Sequence, residues 1–314
     1  MVDNKIRKFD LDGSDLNIVE DILNVAGDEE LVGLFEMSNN IDSKNHINEI
    51  KLETALFYPI IYQVEDNCPT CGFRTSQSKQ NYNFHYIKKC IEFKFNNITE
   101  CGISSINCYN RGLFKLGEYE SILSVLGQYD CEINVKVDSM AMLDSVKNSA
   151  IDGIIFDLED LMNNEYTDSN GELFDNIDGN LHELLGISNS IHIHGELVID
   201  NVKSHIDLLK IFRILERFEF DSIELLGFDP FIDTPDEYTP QYSQKHLLKI
   251  ISIIRIHFPN LVLKVRYAHN GNNNLVKNIY CGVSVINGVY TNPNYESVYN
   301  FDDINTILCG NTRK

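Results

Sequence analysis

The chain has 314 residues, of which 43% are hydrophobic and 10% aromatic, so it can bury a substantial core and is not a disordered protein. Its 47 acidic residues outnumber 26 basic ones, and the resulting net charge of −21 repels phosphate backbones. No basic cluster with interleaved aromatic residues occurs, which excludes nucleic acid as an expected partner. No apolar leader and no run of about eighteen apolar residues is present, so we expect a cytoplasmic protein without a membrane partner.

Residues 1–54 are predicted to form an N-terminal helical extension. In the stretches 15–27 and 28–41, apolar residues recur at helical spacing, with Asp residues suited to capping. We therefore expect a short helical segment that precedes one main domain over residues 55–314.

The main domain alternates β-rich runs with amphipathic stretches. The predicted strands cover residues 56–64, 102–109, 131–137, 152–158, 190–197, 221–228, 260–267 and 281–288. Eight strands alternating with helices predict an α/β fold, a (β/α)₈ barrel of the TIM type. A doubly wound open sheet is the alternative.

Polar residues follow most of these predicted strands, and in a (β/α)₈ barrel the chemistry lies at the C-terminal strand ends. The candidates at these ends are Asn107, Tyr109, Asp138, Asp157, Glu159, Glu196, Asp229, Arg266, His269 and Asn287. His192 and His194 alternate with isoleucines, so both lie on one face of the fifth strand. That face is either the barrel interior, where both could contact a substrate, or the outside, where they would be ordinary surface residues.

Eight cysteines occur, and without a secretory leader they are not expected to form disulfides. Four of them, Cys101, Cys108, Cys131 and Cys281, lie in or beside apolar runs and are interpreted as small buried hydrophobes. Cys68 and Cys71 differ, because Asn, Pro and Gly surround them in the stretch NCPTCGFR and indicate a loop after the first strand.

Two cysteines after the first barrel strand, followed by Gly-Phe-Arg, resemble the radical S-adenosylmethionine superfamily. The resemblance is closest to the branch that contains biotin synthase, methylornithine synthase and the radical enzymes of hydrogenase maturation and [Fe]-hydrogenase cofactor assembly. The stretches GDEELVGLFEMSNNI and HGELVIDNVKSHIDLLKIFRIL, and the segment 227–271, are similar to the corresponding helix, fifth strand and later strands of that branch. The likeness covers residues 25–295.

The resemblance implies a [4Fe–4S] cluster held by cysteines spaced C-x₃-C-x₂-C, with one iron left to bind S-adenosylmethionine. Cys68 and Cys71 match the last two cysteines of this motif. Val64 stands at the position of the first, and Tyr62 stands where a longer spacing would place it. Thr70 replaces the aromatic residue that the family usually has before the last cysteine.

The resemblance also implies a small-molecule substrate, typically in cofactor biosynthesis, and a set of binding residues inside the barrel. Glu196 matches a Gly-Glu pair that contacts S-adenosylmethionine, and Arg266 is expected to clamp an anionic group. The expected cofactor-binding residues are Asn107, Asp157, Glu196 and Arg266, the expected substrate-binding residues are His192, His194 and His269, and the expected metal ligands are Cys68 and Cys71. Oxygen-sensitive chemistry of this kind indicates an anaerobe.

Because the motif lacks its first cysteine, three interpretations stay open. In the first, a radical enzyme takes its third cluster ligand from Cys108, Cys90, Asp66 or a histidine. In the second, the barrel has lost the cluster and serves as a binding or partner subunit, beside an intact paralogue or another maturation protein. In the third, Cys68 and Cys71 hold zinc together with a histidine of the fifth strand.

Overall fold

The computed structural model describes residues 28–45, 50–57, 105–109, 116–137, 140–147, 149–162, 187–199, 205–227, 243–266 and 271–287. The strands of this part of the chain are β1 Lys51–Phe57, β2 Ser105–Tyr109, β3 Glu132–Lys136, β4 Gly153–Asp157, β5 His192–Val198, β6 Ser222–Leu226, β7 Val262–Arg266 and β8 Val285–Asn287. The helices are α1 Asp28–Asn45, α2 Leu116–Leu126, α3 Met140–Val146, α4 Leu158–Met162, α5 His205–Arg217, α6 Gln244–His257 and α7 Gly271–Tyr280.

The eight strands form a closed parallel barrel in which each strand pairs with its neighbours in chain order. The barrel closes where β1 pairs with β8, through Lys51 opposite Val285 and Leu52 opposite Ile286. This closure confirms the predicted TIM-type barrel. It rules out the open doubly wound sheet, because in such a sheet each of the two edge strands has one side without a neighbouring strand.

The first strand lies earlier in the chain than the sequence predicted. The prediction was residues 56–64, whereas β1 spans Lys51–Phe57 and begins four residues before the expected domain start at residue 55. The physical reason is that Lys51 and Glu53 make this stretch look like an exposed loop, although Glu53 is buried inside the barrel. Residues 58–104, with Cys68 and Cys71, lie outside the described residues.

The main core lies between the strands and the surrounding helices. On β2 and β3 the outward positions are Ile106, Cys108, Ile133 and Val135, all of them buried in one hydrophobic cluster with residues of the helices. The alternate positions of the same strands are polar and point into the barrel, because successive side chains of a strand face opposite sides.

The N-terminal helix α1 belongs to the layer of helices that surrounds the barrel. It packs against α6, and Leu31 and Leu34 are buried there. Ser38 Oγ donates a hydrogen bond of 2.6 Å to the carbonyl oxygen of Cys281. The helix predicted over residues 28–41 is thereby confirmed, and that over 15–27 lies outside the described residues. None of the described helices is long and apolar enough to cross a membrane.

Candidate functional site

The inward side chains of the barrel form two polar groups at different depths. At the C-terminal strand ends lies the mouth cluster, defined as Tyr109, Lys136, Asp157, Glu196, Glu224, Arg266 and Asn287. Deeper in the barrel lies the floor network, defined as Ser105, Asn107, Asn134, His194 and Ser222. On β2, β3, β5 and β6 a floor residue and a mouth residue are two positions apart. Side chains two positions apart in a strand lie on the same face, so both groups point into the barrel.

One half of the mouth cluster is centred on Glu196 of β5. Lys136 Nζ donates to Glu196 Oε2 at 2.6 Å and to Asp157 Oδ2 at 3.2 Å. The hydroxyl of Tyr109 donates to Glu196 Oε1. Burial raises the pKa of Glu196, but the cations Lys136 and Arg266 and the donated hydrogen bonds outweigh it and hold that pKa below its ordinary value.

The other half is centred on Glu224 of β6, which binds Arg266 through two hydrogen bonds. Arg266 Nε donates to Glu224 Oε1 at 3.0 Å and Arg266 Nη2 donates to Glu224 Oε2 at 3.1 Å. Asn287 Nδ2 donates to Glu224 Oε2 at 2.8 Å. Arg266 Nη2 also donates to the hydroxyl of Tyr109 at 3.1 Å, so Tyr109 joins the two halves.

The side chains of the mouth cluster are more exposed on β3 and β4 than on β6 and β7. The side chains of Lys136 and Asp157 are 18% and 24% exposed, whereas those of Glu224 and Arg266 are 4% and 9% exposed. Asp157 Oδ1 also accepts the backbone N–H of Glu159 at 3.0 Å, which fixes the carboxylate at the start of α4. Lys136 and Asp157 are therefore the charged groups of the mouth cluster that are most accessible to a small molecule.

The floor network is built from neutral groups whose donors and acceptors match. Asn134 Nδ2 donates to Ser105 Oγ at 2.9 Å and to Asn107 Oδ1 at 3.1 Å, so Asn134 Oδ1 is the acceptor side of that amide. His194 Nε2, 3.1 Å from Asn134 Oδ1, must then carry the ring proton. His194 Nδ1 consequently accepts from Ser222 Oγ at 2.7 Å.

The surroundings of His194 keep its imidazole neutral. Burial lowers the pKa of His194 well below 6.5, and Coulomb interactions with nearby Lys264 and His192 lower it further. Lys264 itself is paired with Glu53, with its Nζ 2.8 Å from Glu53 Oε1. Gly153 leaves the space that the network needs, because a Cβ at that position would lie 2.7 Å from His194 Nε2.

The structure brings together some of the residues predicted from the sequence and separates others. Asp157, Glu196 and Arg266 meet at the mouth, whereas Asn107 and His194 belong to the floor network. His192 begins β5, four residues before Glu196, and therefore lies about 13 Å away toward the opposite end of the barrel. Its half-exposed ring contacts Asp221 Oδ1 at 3.3 Å. Other predicted positions lie outside the described residues: Cys68, Cys71, Cys90, Asp138, Asp229 and His269.

Two functional candidates at the mouth were not found from the sequence, namely Lys136 and Glu224. Each is a charged residue at an alternate position of a β-rich run, EINVK and SIELL, and that lone charge was the available signal. Glu224 also bears on Arg266, which was expected from the sequence to act as a clamp for an anionic group. Arg266 Nε and Nη2 already donate to Glu224, so the guanidinium edge that an anionic ligand would need is taken.

The thiols of the described residues do not reach the mouth. Cys108 lies on the outward face of β2 in the hydrophobic core, and burial raises the pKa of its thiol. This placement argues against Cys108 as a cluster ligand. His194 uses both ring nitrogens in hydrogen bonds, which argues against it as a zinc ligand. Among the described residues, no group of three or more His, Cys, Asp or Glu side chains is placed to hold a metal ion.

The donor set of the mouth fits a polar organic ligand better than iron. It consists of carboxylates, an ammonium, a guanidinium, a phenol and an amide, which suit the amino, carboxylate and hydroxyl groups of a molecule such as S-adenosylmethionine. An iron–sulfur cluster requires thiolates, so its ligands would have to come from Cys68, Cys71 and other residues beyond the described ranges.

Fold and site together define the chain as a (β/α)₈ barrel with a cluster of charged side chains at the C-terminal ends of its strands. No protein-family model matches it. An uncharacterized protein from Methanocaldococcus jannaschii is 26% identical over 222 residues, which are 68% of this chain and 58% of that protein. The chain thus spans less than two thirds of the length of this curated relative.

Two kinds of solved structure share the barrel. Methylornithine synthase superimposes with a TM-score of 0.67 at 14% identity, over 95% of this chain and 88% of its own. HydG, the [FeFe]-hydrogenase maturase from Carboxydothermus hydrogenoformans, gives 0.65 at 15% identity, over 98% of this chain and 76% of its own. These two structures therefore confirm the barrel fold that the sequence resemblance implied.

Proposed function

We propose that the chain is a radical S-adenosylmethionine-type barrel that acts on a small polar molecule bound at the mouth cluster. The observation that carries the proposal is the convergence of Lys136, Asp157, Glu196 and Arg266 at the C-terminal strand ends of this fold. Buried charges are expensive to keep unless they bind something or hold each other in place. A role in cofactor biosynthesis, as in the branch that the sequence resembles, is part of the proposal.

In this proposal Cys68 and Cys71, which follow β1 in the chain, hold part of a [4Fe–4S] cluster. When bound, the cluster and S-adenosylmethionine would supply one-electron chemistry that generates a reactive radical. The protein's own residues bind and orient the small molecule: Asp157 accepts hydrogen bonds from it, Lys136 donates to it, and Glu196 holds Lys136 in place. The floor network closes the barrel beneath the site and excludes water from that side.

A second candidate function is a binding or partner subunit without a cluster, working beside an intact paralogue or another maturation protein. Two observations favour it. Val64 occupies the position of the first motif cysteine. The thiols of Cys108 and Cys281, the two fully buried cysteines of the described ranges, are in the hydrophobic core rather than at the mouth.

Iron and sulfide analysis of protein that is purified and reconstituted without oxygen tests the proposal. About four irons and a cubane EPR signal that changes on addition of S-adenosylmethionine are expected for the radical enzyme. Cys71→Ser should remove the iron, and Cys281→Ser, a buried core thiol, is the matched control that should retain it. Iron-free protein with an intact barrel would reject the enzyme and leave the binding subunit.

Val64→Cys sharpens the same experiment because it restores the first cysteine of the motif. Higher cluster occupancy in this variant is expected if the loop after β1 retains the shape that the family uses. Unchanged iron content would mean that the loop has been rebuilt and that the third ligand, if there is one, comes from elsewhere.

A further inference from the structure

We infer that the small molecule carries an ammonium group and that Asp157 binds this group, an inference that rests on the proposed binding site at the mouth. The first argument is the charge of the cluster. Three carboxylates, Asp157, Glu196 and Glu224, face two cations, Lys136 and Arg266. This described part of the barrel therefore has one excess negative charge, which favours a cationic group of the ligand over an anionic one.

The contacts support these charge states independently. Both oxygens of Glu224 accept hydrogen bonds from Arg266, as an ionised carboxylate does in a bidentate pair. Both oxygens of Glu196 likewise accept hydrogen bonds, one from Tyr109 and one from Lys136. Burial raises the pKa of Glu224 above its ordinary value, but both of its oxygens are acceptors of hydrogen bonds from Arg266, which is the geometry of an ionised carboxylate.

Accessibility singles out Asp157 among the three carboxylates. Its side chain is 24% exposed, against 3% for Glu196 and 4% for Glu224. An ionised carboxylate offers about four acceptor positions, and Asp157 accepts one hydrogen bond from Lys136 and one from the backbone of Glu159. A ligand ammonium can therefore bind Asp157 without breaking either contact.

The contacts of Lys136 indicate which group of the ligand can bind next to that ammonium. A lysine ammonium has three N–H donors, and the described contacts of Lys136 use two, one to Glu196 and one to Asp157. The third can donate to a carboxylate of the ligand, so an amino acid fits as well as a simple amine. A dianion would meet one lysine donor between two carboxylates, and the net charge of −21 on the whole chain would also repel it.

A series of probes with the same six-carbon chain and different end groups tests the inference on the full chain. We would measure binding of 1,6-diaminohexane, 6-aminohexanoate and adipate by calorimetry and thermal shift at matched ionic strength. The two amino compounds should bind and raise Tm, and adipate should do neither. Asp157→Asn should weaken binding of the amino probes by about tenfold or more, because a hydrogen bond between charged groups becomes one to a neutral amide.

Asp144→Asn is the matched control, because Asp144 pairs with Lys147 at 2.5 Å on the outside of the barrel and should leave probe binding unchanged. Asp157→Glu keeps the charge and should retain part of the affinity. Equal binding of adipate, binding that survives Asp157→Asn, or no binding of any probe would overturn the inference.

The iron measurement on the same preparation separates this inference from the proposed function. Iron-free protein with Asp157-dependent amine binding would reject the radical enzyme and keep the ammonium site. Iron-loaded protein that binds adipate as well as the amines would support the radical enzyme and reject the ammonium site.

Discussion

The mouth cluster and the floor network differ in charge and exposure, although both are polar and both lie on the inward face of the same strands. The floor network consists of neutral groups such as Asn134, His194 and Ser222, each buried and each hydrogen-bonded to the next. The mouth cluster contains five charged groups with one excess carboxylate, and two of them, Lys136 and Asp157, are partly exposed. Matched neutral groups stabilise the barrel, whereas unmatched, accessible charge is suited to binding a ligand.

The largest expected effect is on the interior of the barrel. Lys264→Met should leave the carboxylate of Glu53 buried without its cation and lower the free energy of unfolding by about 3–5 kcal/mol. Urea denaturation measures this loss. Lys147→Met, which breaks the exposed pair with Asp144, is the control and should change stability by less than about 1 kcal/mol. Similar values for the two variants would mean that the interior pair is hydrated.

Gly153→Ala should be the next largest perturbation, because the new Cβ would lie 2.7 Å from His194 Nε2 and displace the floor network. Overpacking of this kind lowers the free energy of unfolding by about 1–3 kcal/mol. Gly117→Ala, where a Cβ meets nothing within 4 Å, should be neutral or slightly stabilising in its helix. Thermal denaturation of the two variants decides whether space at Gly153 is needed.

His194 should make stability depend on pH. Its pKa in the folded protein lies well below 6.5, mainly because of burial, so below about pH 6.5 the unfolded chain binds a proton that the folded chain does not. The free energy of unfolding should therefore fall on acidification, by up to about 1.4 kcal/mol per pH unit for this group. His194→Gln should remove this share of the slope, while His257, whose pKa burial also lowers, keeps its own.

Urea titrations between about pH 7.5 and about pH 5.5 measure that slope. An undiminished slope in His194→Gln would contradict a neutral, buried His194 and would place the acid sensitivity elsewhere in the chain.

The smallest expected effect on stability belongs to the mouth. Asp157→Asn removes a partly exposed charge, so the free energy of unfolding should change by only about 0–1 kcal/mol, although binding of amines should weaken. Denaturation and calorimetry on one preparation compare the two quantities. A large loss of stability would place Asp157 with the structural residues and remove the contrast between mouth and floor.

The sequence predicted seven of the eight strands within a few residues, because β2 to β8 combine β-branched outward residues with clear turn signals. It misplaced β1, because the charged residues Lys51 and Glu53 interrupt the apolar pattern there. It also placed His192 and His194 on one face correctly. It could not fix their depth, because that depends on where β5 begins.

At the mouth, the sequence predicted Asp157, Glu196, Arg266 and Asn287 from the rule that barrel chemistry lies at strand ends. It did not predict their partners. Lys136 and Glu196 are 60 residues apart, and Glu224 and Arg266 are 42 apart, so no local pattern links them.

What the sequence by itself determined is the alternation along each strand, and with it which side chains face into the barrel, since that alternation is a property of the extended backbone. Only the tertiary structure decided which inward residues meet. Closing eight strands into one barrel sets the register between neighbours, and that register places Asp157 beside Glu196 and Arg266 beside Asn287. The excess charge at the mouth is therefore a consequence of the closed barrel.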